Sequence, residues 1–261
     1  MKMILGLLVL LPCLAFAADP ALTNLSKSEV EDIANEIAVN FSHSAVSAPE
    51  TEGLWGLEVG LVGGRTSTPK LSDKVEDSGG EGDDFKNIPH GGLLIRGHFP
   101  LDFFAEISIL PTVKASDFEV SSRSLALGWN AGGFFTWPLD VAIAVEASSA
   151  NFQFDQVVNS VDTTTKFDTK SRRIWVGASK TFFTMLTPYI KAGVFNSDSD
   201  VKVDGTQTIF NYTGSQKQSV DSSGAYGALG LNLDILLMRL GVEASRSAGV
   251  GRMSAKFSLA F

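Results

Sequence analysis

Four carboxylates, Glu58, Glu106, Glu146 and Glu243, stand singly in otherwise apolar, alternating stretches of this chain. Arg96, Arg239 and Lys256 are set in stretches of the same kind, with His98 two residues after Arg96 and Arg252 shortly before Lys256. An isolated charge in an apolar run of period two marks a strand with one face toward hydrocarbon and the other toward a polar interior, where charges persist in pairs. The chemistry open to these residues is a mixed-sign ladder of ion pairs, serving as filler or as the wall of a narrow polar conduit. Positions along neighbouring strands set Glu58 level with Arg96 and, more loosely, Glu243 level with Lys256. With the apolar face outward, Asn130, Tyr226 and Asn232 join the charged residues inside.

Two other clusters invite a chemical reading. Asp83-Asp84 and the nearby His90 could supply the acids and base of a rim hydrolase, although two adjacent acids in a glycine-rich run are poorly suited to acid and base work on opposed walls. His98 and His43 lack the setting of a serine-partnered base on a lipid-facing wall. Asp198, Asp200 and Asp204, or Glu81, Asp83 and Asp84, could hold calcium weakly through oxygen ligands, but solvated acidic loops account for them more simply. The expectation is no catalytic residue, no metal site and no cofactor.

The elements that must position the charges are strands. The chain ends on one: Met253, Ala255, Phe257, Leu259 and Phe261 share a face, and Arg252, Ser254, Lys256, Ser258 and Ala260 share the other. Such an edge must pair, most simply with the first strand of its own sheet, which closes a barrel. Ten strands are expected, near 54–64, 91–99, 103–113, 123–137, 140–152, 171–183, 188–196, 220–234, 236–246 and 251–261. Phe99-Pro100-Leu101-Asp102 and Trp137-Pro138-Leu139-Asp140, echoed by Asn232-Leu233-Asp234, read as short hairpin turns on one side of a membrane. Polar connections over 66–89, 114–121, 153–169 and 196–219 read as long loops on the other, whereas the last connection, around Ala248-Gly249-Val250, is short. Trp55, Phe99, Trp137 and Phe261, with Phe103, Phe182 and Phe183, fall near the short-turn border as an aromatic girdle. Residues from about 23 to 41 carry Leu25, Val30, Ile33, Ile37 and Phe41 at helical spacing, with Ser28 as the start signal. The favoured place for this short helix is against the periplasmic mouth of the barrel, and the alternative is a plug in the lumen.

The first residues fit a secretory leader: Met1-Lys2, an apolar run from Ile4 to Leu11, and Ala15-Phe16-Ala17 as a small-x-small cleavage site. Cys13 is the single cysteine and lies inside it, so cleavage leaves no thiol chemistry. A formal charge of -8, one unit more negative without Lys2, argues against nucleic acid as a partner. The 44% apolar content is ordinary, and no helix-length apolar run follows the leader, which excludes a helical membrane protein but not a barrel.

The leader, the loop alternation and the closing Lys256-Phe257-Ser258-Leu259-Ala260-Phe261 together resemble the small Gram-negative outer-membrane β-barrels without an assigned function. The resemblance covers 54–261. The expected organisation is a signal peptide over 1–17, a periplasmic N-terminal segment with an amphipathic helix over 18–53, and an all-β, antiparallel up-and-down transmembrane barrel over 54–261. The resemblance implies a monomer in the bacterial outer membrane, in contact with its lipid and lipopolysaccharide, recognised by the barrel-assembly machinery through the C-terminal strand. Its role would be structural, surface-interacting or passive passage of a small solute past a charged lumen. A channel for small hydrophobic compounds with the helix as plug, and an omptin-like hydrolase, are the alternatives.

Overall fold

A computed structural model describes residues 26–50, 55–77, 82–115, 118–131, 138–158, 161–207 and 212–261. The leader with Cys13, Leu25, Glu81 and Trp137 lie outside the described residues, as does the Asp84 side chain. Helix α1 (Lys27–Asn40) precedes strand β1 (Gly56–Ser67), and helix α2 (Pro69–Asp77) follows it. Nine more strands complete the chain: β2 (Asn87–Phe99), β3 (Phe103–Ala115), β4 (Phe118–Asn130), β5 (Asp140–Val158), β6 (Val161–Ser179), β7 (Leu186–Gln207), β8 (Tyr212–Ile235), β9 (Met238–Ser247) and β10 (Val250–Ala260). Each strand pairs antiparallel with its sequence neighbours, and β1 pairs with β10, so the sheet is a closed ten-strand barrel.

The seam closes with Glu58 opposite Ala260, Val62 opposite Lys256 and Thr66 opposite Arg252. Leu57 and Phe261 exchange both backbone hydrogen bonds, at 3.1 and 2.8 Å, so the final residue removes the edge that the sequence left open. Outward positions carry an exposed apolar band, Leu57, Val59 and Leu61 on β1, Ile143 and Val145 on β5, and Phe257 and Leu259 on β10 among them. The ten steps from Trp55 to Arg65, at about 3.3 Å each and tilted by about 40°, rise roughly 25 Å, the height of a membrane-barrel apolar band. Trp55, Phe99, Phe103, Phe182, Phe183 and Phe261 are exposed at the short-turn end, and the Trp55 and Phe99 rings meet edge-on at 6.0 Å.

Four features depart from the sequence reading. The stretches expected as long loops over 153–169 and 196–219 are mostly strand, because β5 through β8 run 19 to 24 residues and project beyond the apolar band. Above the membrane a strand needs no apolar outer face, so its alternation of polar with occasional apolar residues imitates a loop. The connection after β1 contains α2, whose Leu71 and Val75, one turn apart, are buried. Helix α1 is capped by Ser26, which accepts from the Glu29 backbone while the Glu29 side chain accepts from the Ser26 backbone, so the start signal lies two residues before Ser28.

The fourth departure concerns where α1 lies. It does not pack across the mouth at the short-turn end. Val30, Ile33, Ala34, Ile37 and Phe41 pack inside the projecting part of the barrel, against Ile88, Phe118, Phe152, Phe154, Phe167, Val201 and Val220 of the walls and Leu71, Val75 and Phe85 of the α2 connection. The chain then runs down the lumen over 41–50, buried throughout, and the described residues resume at Trp55, at the short-turn end where β1 begins. The room comes from small inward residues at mid-height, such as Ala126, Ala142, Ala144 and Ser258, all buried. A Cβ at Gly241 would meet the Val46 carbonyl oxygen at 2.9 Å, so that glycine admits the segment directly.

Candidate functional site

The twelve polar and charged residues assigned to the interior, Glu58, Arg96, His98, Glu106, Asn130, Glu146, Tyr226, Asn232, Arg239, Glu243, Arg252 and Lys256, are all buried. Glu58 is the busiest: it pairs with Lys256 at 2.7 Å and Arg239 at 3.0 Å, and accepts from the Ser258 hydroxyl at 2.6 Å. Arg96 lies in register opposite both Glu58 and Glu106, with its Nε 3.3 Å from the latter. Its guanidinium sits 5.0 Å from the Phe104 ring centroid. Arg239 also reaches Asp234 at 2.6 Å and Glu50 of the lumenal segment at 3.6 Å.

Glu243 and Lys256 do not form the loose pair that their positions suggested. The β9–β10 register sets Glu243 opposite Ser254 and Lys256 opposite Gly241. Lys256 turns instead to Glu58 across the seam, and Glu243 pairs with Lys191 at 3.1 Å across the width of β8. The intervening β8 residues, Ala228 and Gly230, are small enough to let that lysine through. Glu146 is matched by Arg173 at 2.8 Å and accepts from the Trp175 indole at 2.5 Å, and the Tyr189 hydroxyl donates to Glu243 at 3.0 Å. Arg173, Trp175, Tyr189 and Lys191 were absent from the sequence reading. Their signal was present: Ile174, Val176, Ile190 and Val194 are the outward residues of β6 and β7, which forces the alternate positions inward.

The lumenal segment completes the network. Arg252 has no carboxylate partner among the described residues; its guanidinium donates to the carbonyls of Val39, Ser42 and His43 at 3.0 to 3.1 Å and to the Ser42 hydroxyl at 2.9 Å. These groups lie at the end of α1, where unpaired carbonyls and the negative pole of the helix favour a cation. Arg173 donates to the same His43 carbonyl at 2.6 Å. Lower down, Lys256 donates to Ser47 at 3.0 Å, Ser179 donates to the Pro49 carbonyl, and the Asn232 amide bridges Val46 and Ala48 at 3.2 Å each. Val46 is held at φ 52°, a left-handed conformation that a β-branched side chain adopts only when its surroundings impose it.

His43 of the segment lies between Ser124 on β4, 2.8 Å from its Nδ1, and Glu106 on β3, 3.0 Å from its Nε2. Serine, histidine and glutamate in a row resemble a hydrolytic triad, but the imidazole is only 3% exposed and the rest of the segment covers it. This arrangement fastens the segment to the wall. Of the acids and base expected of a rim hydrolase, Asp83 pairs with Lys86, whereas His90 points inward and lies 2.9 Å from the Ser254 hydroxyl. Asp200 contacts Lys217 and Asp204 contacts Lys202, and among the described residues no three acidic or histidine side chains gather as a metal site.

A closed sheet, an apolar outer band and a charged, filled interior define one kind of molecule. The chain is a small membrane β-barrel. No protein-family model matches it, and no curated protein does. Its fold is similar to solved outer-membrane barrels. One is Ail, the attachment invasion locus protein of Yersinia pestis, solved with the heparin analogue sucrose octasulfate (13% identity, 79% of this chain and 97% of that one, TM-score 0.34). Another is a mutant of the monoaromatic hydrocarbon channel TodX (11% identity, 84% and 74%, TM-score 0.38). A third is the translocator domain of the autotransporter NalP from Neisseria meningitidis (8% identity, 82% and 90%, TM-score 0.45).

Proposed function

We propose that this protein is an integral outer-membrane barrel sealed along its axis by its own N-terminal segment, with a structural and surface-facing role and no catalysis. Passage of a small solute is confined, in this reading, to a state in which the segment has left the lumen. The supporting observation is the anchoring of residues 39–50 from several sides, above all the donation of Arg252 and Arg173 into the end of α1. The reading carries with it a cleaved leader, a monomeric state, contact with outer-membrane lipid and lipopolysaccharide, and recognition of the C-terminal strand by the barrel-assembly machinery. In planar bilayers the full-length protein should show no steady single-channel steps, and deletion of residues 26–50 should produce them. Steady steps from the intact protein would overturn the sealed lumen.

The hydrophobic-compound channel is favoured by one feature, the cluster of phenylalanines beside α1 on β4 to β6, where Phe118, Phe152, Phe154 and Phe167 stand with neighbouring centroids 5.9 to 6.4 Å apart. Saturable binding of an aromatic hydrocarbon by the intact protein, lost on Phe152→Ala, would favour that reading over a closed structural barrel.

A further inference from the structure

The chain has eight arginines, and the barrel divides them evenly. Arg96, Arg173, Arg239 and Arg252 are buried in the lumen, whereas Arg65, Arg123, Arg172 and Arg246 are exposed on the outer face. On β1 the outward residues run Leu57, Val59, Leu61, Gly63 and then Arg65; on β9 they run Met238, Leu240, Val242, Ala244 and then Arg246. On β4 and β6, which run the other way, Arg123 precedes Leu125 and Arg172 precedes Ile174. Each outward arginine therefore sits one step beyond the apolar band, at the end carrying α2. Farther out on the barrel's outer face come charges of both signs, Lys166, Lys170 and Lys217 with Asp168, Asp198 and Asp221. In a chain of net charge -8, all four outward arginines stand at the upper margin of the apolar band.

We infer that Arg65 and Arg246 form a binding site for the phosphorylated head group of an anionic outer-leaflet lipid. The two lie on either side of β10, where Arg65 is opposite Met253 and Arg246 is opposite Gly251. Two strand spacings across β10 and a two-residue step along it put their backbones roughly 12 Å apart, a span that two long guanidinium side chains close over one phosphate. No ion pair joins either to another described residue; Arg246 has one local bond, from its Nε to the Gly249 carbonyl at 3.0 Å. Directly below them the outer wall is a shallow groove of about 650 Å³, lined by Gly63, Ala244, Met253 and Ala255, where acyl chains can lie close to the sheet. Guanidinium at the head-group level and small apolar residues beneath it match a ligand that is phosphate at one end and hydrocarbon at the other.

This assignment rests on the membrane reading above but not on the sealed lumen. The test is native mass spectrometry of the full-length protein with a diphosphorylated, acylated glucosamine disaccharide and with the same lipid after its phosphates are removed. The intact protein should bind the phosphorylated form on the order of tenfold more tightly, with R65Q/R246Q losing that preference and R65K/R246K keeping part of it. Equal binding of the two lipids by the unaltered protein, which requires no variant to fold, overturns the assignment. So does full phosphate preference in R65Q/R246Q. Vesicle flotation of the same preparation reads the underlying premise separately: a protein that does not enter bilayers removes the membrane reading and this site together.

Discussion

Glu58 neutralises two cations that have no route to water, and its loss should be felt as an uncompensated buried charge. Glu58→Gln keeps the shape and the Ser258 contact but leaves Lys256 without a carboxylate, while Arg239 retains Asp234 and Glu50, at an expected cost of about 3–5 kcal/mol. The midpoint of denaturant unfolding in detergent micelles measures it. A different kind of response is expected from Glu36, which lies outside the apolar band and accepts from the first backbone N–H groups of α2, Lys70 at 2.9 Å and Leu71 at 3.0 Å. Burial pushes its carboxyl from 4.5 up to about 7, with Asp32 adding to the rise and the Lys70 and Leu71 amides and the Lys70 ammonium opposing it. A carboxyl raised in the folded state contributes fully below its unfolded value and loses that contribution as pH rises through the folded one. Docking of α1 on α2 should therefore weaken between about pH 4.5 and 7, and Glu36→Gln should flatten the slope of hydrogen-exchange protection against pH. The neighbouring Lys74–Glu29 pair stays charged across this window, since their mutual hydrogen bond holds Glu29 down to about 2 and Lys74 up to about 12.

Helix α2 is a clamp on α1 with a small apolar face. Replacing its buried Leu71 and Val75 by alanine should expose α1 to protease while leaving the heat resistance of the barrel itself unchanged, because the seam and the β ladders are not touched. How legible these elements were depended on what each one packs against. The ten strands and their closure could be read because lipid imposes a strict period of two on every outward face. The inward charges followed from the same alternation, and the overlooked Arg173 and Lys191 obey it as well. The hairpins beyond the membrane carried no such constraint, and α2 offered only two apolar positions in a glycine-rich and charged stretch. The plug was hidden for another reason: its partners are carbonyls and small residues, and neither leaves a mark in the periodicity of the wall. Arg252 alone hinted at it, a buried cation without a carboxylate to match.

At the level of the whole molecule, the described N-terminal residues and the C-terminal residue lie at opposite ends of the barrel. Ser28 is exposed beside the α2 connection, whereas Leu101 and Leu236 are exposed at the short-turn end near Phe261. Cysteine placed at Ser28 should react with a membrane-impermeant maleimide on intact cells, and cysteine at Leu101 only after permeabilisation; the reverse pattern would turn the barrel over. The passage of residues 41–50 through the ring also dictates an order of events. A strand of side chains already locked around the axis leaves no clearance to thread a folded helix from one mouth to the other. The segment must be laid along the inner surface of a still-open sheet, and the β1–β10 seam must zip last, around it. The pairing of Leu57 with Phe261 is then the final step of assembly, and any delay in seating the segment becomes a delay in closing the ring.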